Sequence, residues 1–316
     1  MYMDLVTGGA GFIGSHLVDA LVNEGKKVKV LDNFSSGRME FLNHHENNDN
    51  VEIINVDLLD FKGVKDAMIG VDFVHHLAAN PDIRLGTQVT DTDLKQGTIA
   101  TYNVLEAMRI NEVGTISFAS SSAIYGEAKQ MPTPENYGPI VPISLYGASK
   151  LGSEALISSW VGTFGIRAYI HRFANIVGPR GTHGVIFDFI HKLKADPTRL
   201  EVLGDGMQEK SYMSAEDCVQ SMLHIIKNIN DTISIFNLGT GDTCSVSRIS
   251  EIVVEESKLS GVSIEYSGGK RGWAGDVPKT YLNVDKLLAT GFLPTTNSEE
   301  AVRYTASSLI KEIGLN

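Results

Sequence analysis

Tyr146 and Lys150 stand four residues apart in the segment Tyr-Gly-Ala-Ser-Lys, and their side chains could carry acid–base chemistry. Four residues is about one helical turn, so both side chains would project from one face of a helix. A neighbouring ammonium stabilises a phenolate, and we therefore expect Lys150 to lower the pKa of Tyr146. A phenol with a lowered pKa can exchange a proton with a substrate hydroxyl near neutral pH.

A cluster of glycines near the N-terminus predicts a dinucleotide-binding loop. A strand is predicted at residues 5–7, and the glycines that follow it are Gly8, Gly9, Gly11 and Gly14. Glycine permits a tight turn, lets the backbone approach a pyrophosphate, and lets the next helix pack on the strand. That helix, predicted at residues 15–22, would point its N-terminus at the phosphates.

Asp32 indicates which dinucleotide the loop would bind. It ends a second strand, predicted at residues 27–32, and follows the glycines by about 20 residues. A carboxylate at this place can hold the ribose 2′-hydroxyl and would repel a 2′-phosphate, so we predict NAD rather than NADP. If NAD accepts a hydride from the carbon whose hydroxyl Tyr146 deprotonates, the chemistry is alcohol oxidation.

Composition argues against several classes of protein. The chain has 316 residues, 42% of them hydrophobic, and its formal net charge of −11 disfavours binding to nucleic acid or to anionic membranes. Cys218 and Cys244 are its only cysteines, which is typical of the reducing cytoplasm. The segment at residues 44–46, His-His-Glu, is interpreted as a solvated loop. No histidine, cysteine and carboxylate set has metal-site spacing, so we predict no metal.

Strand-like and helix-like segments alternate through the first half of the chain. Long helices are predicted at about 94–109 and 146–164. Strands are predicted at residues 5–7, 27–32, 51–56, 71–77, 115–119 and 168–171. This alternation predicts an α/β fold with a doubly wound parallel sheet of the Rossmann type. We expect an NAD-binding domain at residues 1–174 and a smaller α+β substrate-binding lobe at 175–316, from which about 210–240 returns to the first domain.

Further motifs follow in an order that resembles the extended short-chain dehydrogenase/reductase family, and specifically its nucleotide-sugar epimerases. They lie at residues 76–79 (His-Leu-Ala-Ala), 120–126 (Ser-Ser-Ser-Ala-Ile-Tyr-Gly), 172–179 (Arg-Phe-Ala-Asn-Ile-Val-Gly-Pro), 204–208 (Gly-Asp-Gly-Met-Gln) and 275–278 (Gly-Asp-Val-Pro). The resemblance implies a 4-epimerase that retains NAD and passes through a 4-keto sugar, interconverting UDP-glucose and UDP-galactose or their N-acetyl forms. It also implies a homodimer.

The resemblance assigns roles to residues of this chain. The catalytic residues would be Ser121, Tyr146 and Lys150, with Ser121 favoured over Ser122 as the partner of the reacting hydroxyl. The cofactor would contact Gly8, Gly11, Phe12, Ile13, Gly14, Asp32, Asn33, Asp57, Leu58, Leu77, Ala78, Ala79, Tyr146 and Lys150. The UDP-sugar would contact Ser121, Ser122, Tyr146, Asn175, Lys210, Arg271 and Asp276.

The chain departs from the family pattern in three places. Many relatives have an asparagine in the helix before the fifth strand where this chain has Gln96. An Arg-Asp pair is replaced by Lys210 and Ser211, and lysine keeps the charge but loses the bidentate geometry of arginine. Thr280 is small and lies where relatives vary residue size to admit or exclude an N-acetyl group.

Other activities are compatible with parts of the sequence. The related 4,6-dehydratases place an Asp-Glu pair after the catalytic threonine, and the corresponding Ser122 and Ala123 cannot supply that acid and base. Dehydration is therefore not expected. An epimerase or net oxidoreductase acting on UDP-glucuronate, or on a CDP- or GDP-sugar, is an alternative. An NAD-sensing binding protein without turnover is a further alternative, against which the presence of Tyr146 and Lys150 argues.

Overall fold

The computed structural model describes residues 2–272 and 277–315 of the chain. The strands in those ranges are β1 (Met3–Thr7), β2 (Lys27–Asp32), β3 (Val51–Asn55), β4 (Phe73–His76), β5 (Thr115–Ser121), β6 (Arg167–Phe173), β7 (Asn175–Val177), β8 (Arg199–Val202), β9 (Glu209–Lys210), β10 (Tyr212–Ser214), β11 (Ile233–Leu238), β12 (Cys244–Ser245), β13 (Ser263–Tyr266) and β14 (Lys279–Thr280). The α-helices are α1 (Phe12–Asn23), α2 (Phe61–Ala67), α3 (Ala100–Ile110), α4 (Leu145–Phe164), α5 (Val185–Ala195), α6 (Ala215–Asn228), α7 (Val246–Ser257), α8 (Asp285–Leu288) and α9 (Ser298–Ile313).

The main sheet of the described residues has seven strands in the order β11-β6-β5-β4-β1-β2-β3. Parallel ladders join β1 to β2 and β4, β2 to β3, and β4 to β5. The strand order therefore reverses between β1 and β4. In open parallel sheets, ligands bind beyond the carboxyl ends of the strands at such a reversal. The doubly wound parallel sheet predicted from the sequence is confirmed.

Apolar side chains on one side of the main sheet pack under α2, α3 and α4. Leu5, Val74, Ile116 and Ile170 from four strands contact one another there and are almost fully buried. Ile157 of α4 joins the same cluster. Burying these side chains holds the helices against the sheet, and α4 carries Tyr146 and Lys150, so this core positions the predicted catalytic pair.

The chain divides into two compact units. The first contains the residues up to Ile124, Pro142–Arg172 and Met222–Phe236, and the second contains Tyr125–Val141, Phe173–Ser221 and the residues from Asn237 onward. The sequence-based boundary lay at residue 174. The units therefore interleave along the chain more than that boundary indicates. The roles of the two domains remain predictions.

The second unit has its own hydrophobic core. It is built by α5, α7 and α9 together with β8, and includes Phe189, Leu200, Ile252, Val302 and Leu309. Helix α9 begins with a capping box, in which the Asn297 side chain and the Glu300 side chain each bond the other residue's backbone N–H. Short strands form the small sheets β10-β7, β12-β9-β14 and β13-β8.

The helix predicted at about 94–109 is divided in two. Leu94–Ile99 is a π-helical turn, and α3 follows directly at Ala100. Such turns are rare and occur often at functional sites. Across residues 2–272 and 277–315, none of the helices has the length and apolar character needed to cross a membrane.

Candidate active site

The glycine loop is built as the sequence predicts. Gly8 has φ of 68°, and a Cβ added to it would stand 2.8 Å from the backbone of Ala78. A Cβ on Gly14 would stand 2.0 Å from the carbonyl oxygen of Gly8, so a larger residue would push helix α1 away from the loop. Helix α1 begins at Phe12, earlier than predicted, and Phe12 and Ile13 form its first turn.

The N-terminus of α1 suits an anion. Gly11 is its N-cap, and no side chain in the described parts of the chain caps it. Its first turn contains no acidic residue. The backbone N–H groups at a helix start carry partial positive charge and can donate to phosphate oxygens. The loop and this helix start therefore fit the pyrophosphate of a dinucleotide.

Asp32 lies at the carboxyl end of β2, beside the loop. Its Oδ2 accepts a hydrogen bond of 3.0 Å from the Ala10 N–H, and its Oδ1 accepts one of 2.9 Å from the Phe34 N–H. Burial raises the pKa of this carboxyl, and the two backbone bonds oppose that effect. Each oxygen retains a lone pair, so the carboxylate can also accept from the two ribose hydroxyls. This geometry fits the ribose of NAD.

Further predicted cofactor contacts lie at the ends of β2, β3 and β4. The Asn33 side chain donates to Oδ2 of Asp57 over 2.8 Å, across the ends of β2 and β3. The carbonyl of Leu58 accepts a bond of 2.8 Å from the Asn103 side chain on α3. At the end of β4, the N–H of Leu77 bonds the Thr7 carbonyl. These bonds hold in place the loops that contain the predicted cofactor contacts. Ala78 and Ala79, which are also predicted cofactor contacts, follow Leu77 directly.

Ser121, Tyr146 and Lys150 converge, as predicted. Ser121 ends β5, and its hydroxyl lies close enough to the phenol of Tyr146 to lower the pKa of that group. Nζ of Lys150 lies 5.7 Å from the centre of the Tyr146 ring and donates to the Ala119 carbonyl over 2.6 Å. Lys150 is 3% exposed, whereas Tyr146 is half-buried. A phenol, a serine hydroxyl and a cation are therefore close together in the first unit.

The expected direction of the Tyr146 pKa is wrong for this structure. Burial, with a smaller contribution from the carboxylate of Asp93, raises the pKa of the phenol to about 12, although the Ser121 hydroxyl lowers it. Burial also lowers the pKa of Lys150 to about 8, which the carboxylates of Glu154 and Asp93 oppose. The four-residue spacing correctly predicted that Lys150 lies near Tyr146. It did not predict that desolvation has the larger effect on the pKa of Tyr146.

Close backbone packing brings the two catalytic segments together. Ser144 caps α4 by accepting from the Gly147 N–H over 3.0 Å. A Cβ on Gly147 would stand 2.5 Å from the Ala123 carbonyl oxygen, so α4 can approach the turn after β5 only because this residue is glycine. Ser122 begins that turn, a 3-10 helix over Ser122–Tyr125. The Ser121 hydroxyl also accepts from the Ala123 N–H at 3.1 Å.

Asp93 is a component of the site that the sequence did not reveal. It precedes the π-helical turn and is 2% exposed, and the Asn80 side chain donates to its Oδ1 over 3.1 Å. Burial raises its pKa, and the Lys150 charge lowers it. Gln96, noted as a departure from the family pattern, lies within the π-helical turn that follows. Only the fold places this carboxylate beside Lys150, which is more than fifty residues away in sequence.

His76 is a second unpredicted component. Its Nδ1 lies 2.7 Å from Oγ1 of Thr7 on β1, and its Nε2 lies 3.0 Å from Oγ1 of Thr101 on α3. The Thr101 hydroxyl in turn lies 3.1 Å from Oγ of Ser153 on α4. Burial lowers the pKa of His76 to about 3, so the ring is neutral. This buried chain of bonds connects the strand before the glycine loop to the helix that carries Tyr146.

Asn175 and Lys210, two of the predicted substrate contacts, belong to the second unit. Asn175 on β7 pairs in register with Tyr212, and its side chain donates to the Ser211 carbonyl over 3.2 Å. Lys210 on β9 pairs in register with Thr280 on β14. Asn175, Lys210 and Thr280 are thus connected through consecutive residues of β9 and β10. Their role as substrate contacts stays a prediction.

Two further predicted substrate contacts are Arg271 and Asp276. Arg271 forms an ion pair with Glu127 in the second unit. Asp276 lies outside the described residues. The phosphate-binding role of Arg271 and the ribose-binding role of Asp276 both stay predictions.

Sequence comparisons identify the family of the chain. The model of the family described as "NAD dependent epimerase/dehydratase family" matches residues 5–239. A putative UDP-glucose 4-epimerase of Methanocaldococcus jannaschii is 34% identical over 306 residues, which cover 95% of this chain and 96% of that protein.

Solved structures of similar sequence and fold include nucleotide-sugar epimerases. A crystal structure of a UDP-galactose 4-epimerase is 42% identical, with a TM-score of 0.89, over 98% of this chain and 99% of that one. A UDP-N-acetylglucosamine 4-epimerase from Methanobrevibacter ruminantium, in complex with UDP-N-acetylmuramic acid, is 28% identical, with a TM-score of 0.87, over 98% and 99%. With the family model matching well over half of its length, the chain belongs to the NAD dependent epimerase/dehydratase family and uses NAD.

Proposed function

We propose that this protein is an NAD-retaining 4-epimerase that interconverts UDP-glucose and UDP-galactose. One observation carries the proposal: Tyr146 lies close enough to the Ser121 hydroxyl for Ser121 to lower the pKa of the phenol, and one helical turn from the buried Lys150. Such a set can both remove and return the proton of a secondary hydroxyl. Relatives of similar sequence and fold include UDP-sugar 4-epimerases, which supports the choice of substrate class.

In the proposed reaction, Tyr146 takes the proton of the sugar C4 hydroxyl while Ser121 holds the oxygen by a hydrogen bond. When bound, NAD would supply the reversible hydride acceptor for C4, so that the hydride could return to the opposite face of the sugar. Lys150 holds the nicotinamide ribose, and its positive charge favours the phenolate. Because burial raises the pKa of Tyr146 to about 12, the phenol is protonated at neutral pH, and it can act as the base only because Ser121 and Lys150 favour its phenolate form.

The proposal includes the N-acetyl forms of both sugars. Thr280 has a small side chain and is half-buried beside Lys210 in the second unit. A small residue leaves room for an N-acetyl group, and one structural relative is a UDP-N-acetylglucosamine 4-epimerase. Asn175, Lys210, Arg271 and Asp276 are the proposed contacts of the UDP portion. We also place the enzyme in the cytoplasm, where its two buried cysteines would stay reduced.

A proton NMR time course tests the proposal. Purified protein is mixed with UDP-galactose without added NAD, and in parallel with UDP-N-acetylgalactosamine, and the anomeric signals are followed. The expected result is the gluco epimer at equilibrium, formed with the NAD that the protein retains. The rate ratio of the two substrates measures how well the site admits the N-acetyl group.

Controls separate this function from its rivals. Tyr146→Phe should lower the turnover number by roughly 10²- to 10⁴-fold while NAD binding is unchanged, because only the proton transfer is removed. Full activity of that variant would contradict the mechanism. A requirement for added NAD, with NADH accumulating in proportion to product, would instead identify an oxidoreductase. Turnover of a GDP-sugar or of UDP-glucuronate, without turnover of UDP-galactose, would show that the substrate is a different nucleotide sugar.

A further inference from the structure

Three side chains on the first unit converge away from the catalytic residues. Asp19 lies on α1, and His44 and His45 lie in the 3-10 turn Asn43–His45. Nε2 of each histidine lies 2.7 Å from the same atom, Oδ1 of Asp19. The three ligand atoms all lie within 4.8 Å of one another. We propose that Asp19, His44 and His45 form a binding site for one divalent transition-metal ion, preferentially Zn²⁺.

The chemistry of the donors selects the class of ion. Two imidazole nitrogens and one carboxylate oxygen are ligands that Zn²⁺, Ni²⁺ and Cu²⁺ accept. Mg²⁺ and Ca²⁺ take oxygen ligands and would gain little from the histidines. Three protein ligands leave a fourth tetrahedral position for water, which is the arrangement of open zinc sites.

The distances require a small adjustment that this site can make. Around zinc, with bonds of about 2.0–2.1 Å, tetrahedral ligand atoms lie about 3.3 Å apart, so each Nε2 to Oδ1 distance must widen by about 0.6 Å. His45 is buried, and its N–H donates to the Leu42 carbonyl over 2.8 Å, so it serves as the fixed ligand. His44 has half of its side chain exposed and can move.

The site also corrects the interpretation of residues 44–46 at His45, whereas His44 and Glu46 are exposed as expected. All three were expected to form a solvated loop, but His45 is 7% exposed and packs toward α1. The sequence gives no metal signal, because Asp19 precedes the histidines by 25 and 26 residues. Only the packing of the turn on α1 brings the donors together. A bound ion would tie this turn to the helix whose N-terminus faces the proposed pyrophosphate site.

Cobalt titration of the tag-free, chelator-treated protein tests the proposal. The wild-type protein should bind one Co²⁺ with the visible d–d bands of a four-coordinate site, and Zn²⁺ should displace it. His44→Gln and Asp19→Asn should each weaken binding by at least about 100-fold, because even partners outside the coordination sphere typically contribute ~10- to 100-fold. Far-UV circular dichroism and metal-free thermal unfolding verify that both variants fold.

A matched control is His191→Gln, which removes an exposed histidine on α5 in the second unit. It should bind Co²⁺ like the wild-type protein. The proposal is overturned if folded His44→Gln and Asp19→Asn bind Co²⁺ as the wild-type does. It is equally overturned if the wild-type protein binds no Co²⁺ with four-coordinate bands, because the histidines then serve only as hydrogen-bond partners of Asp19. Neither readout depends on epimerase activity.

Discussion

At the scale of single residues, the site combines the proposed base Tyr146 with the positive charge of Lys150 and the negative charge of Asp93. The raised pKa of Tyr146 reflects burial first, and the Asp93 carboxylate adds to it. The same carboxylate raises the pKa of Lys150 against the effect of burial. Asp93 therefore acts on both titrating groups in one direction, since a negative charge favours their protonated forms. This predicts a specific effect on the pH profile.

Asp93→Asn should move both limbs of the pH profile of the turnover number to lower pH, by about 0.5 to 1 unit. Removing the negative charge lowers the pKa of Tyr146 and that of Lys150, and the ionisation states of these two groups together define the limbs of the profile. The amide retains an oxygen that can accept the Asn80 bond. The measurement is the initial rate at saturating substrate across the pH range.

The matched control is Asp91→Asn, two residues away. Asp91 is half-exposed and forms an ion pair with Lys95 on the surface. Its replacement should leave both limbs in place. A lower rate for Asp93→Asn at unchanged limb positions would mean that Asp93 acts through structure rather than through its charge.

At the scale of secondary-structure elements, a buried ion pair joins α4 to the main sheet. Glu154 on α4 accepts from the Arg172 guanidinium on β6 at 2.8 and 3.1 Å, and from the Ser120 hydroxyl on β5 at 2.5 Å. Both charged side chains are less than 10% exposed. The contact spans the two elements that present Ser121 and Tyr146, so it should stabilise their relative placement.

Glu154→Gln should lower the free energy of unfolding by about 3 kcal/mol, because it leaves the buried guanidinium without its compensating charge. Urea unfolding followed by circular dichroism measures the change. Glu106→Gln is the control, since Glu106 pairs with Arg109 near the surface of α3, and its loss should cost less than about 1 kcal/mol. Equal losses in the two variants would contradict a special role for the buried pair.

At the scale of the whole molecule, the first unit contains a group of buried histidines. His75 and His76 on β4 and His171 on β6 have at most 1% of their surface exposed. Burial lowers the pKa of all three, and those of His76 and His171 fall to about 3. The folded protein thus keeps these rings neutral at pH values where the unfolded chain would protonate them.

Stability should therefore fall as the pH falls below about 6.5. The unfolded chain then binds protons that the folded protein does not bind, and His76 and His171 should each cost about 1.3 kcal/mol between pH 7 and pH 5.5. His171→Gln, which can keep a bond to Ser117, should reduce that fall by about this amount. Urea unfolding at the two pH values measures it. The exposed His191→Gln variant should show the wild-type fall, and an unchanged fall in His171→Gln would contradict the prediction.

We also propose a homodimer formed through the outer face of α3 and α4. Val104 belongs to the core, but Tyr102, Ile110 and Phe164 are each exposed by more than 40%. The Tyr102 and Trp160 rings meet edge to face at 5.9 Å on this surface. Exposed apolar area of this kind is typical of protein interfaces. Light scattering should therefore give about twice the chain mass of 34.3 kDa.

The double variant Tyr102→Glu, Phe164→Glu places charges on that face and should yield monomers. Both side chains are about half-exposed, so the fold should tolerate the change. A monomeric wild-type protein at micromolar concentration would contradict the dimer. A dimer that survives the double substitution would place the interface elsewhere.

The local motifs could be predicted from the sequence because their geometry is local. The glycine loop, Asp32 at the end of β2, and the one-turn spacing of Tyr146 and Lys150 follow from short-range rules of turns, strands and helices. Ser121 was found through family resemblance, and the structure places its hydroxyl against the Tyr146 phenol. The doubly wound parallel sheet followed from the alternation of elements.

The remaining features were decided by tertiary structure, because they depend on burial and on contacts between distant residues. Asp93 reaches Lys150, and Asp19 reaches His44 and His45, only after helices have packed on the sheet. The direction of the Tyr146 pKa depends on how much water the fold removes from the phenol. Sequence spacing identifies which charge is a neighbour, whereas desolvation is a property of the whole surrounding structure.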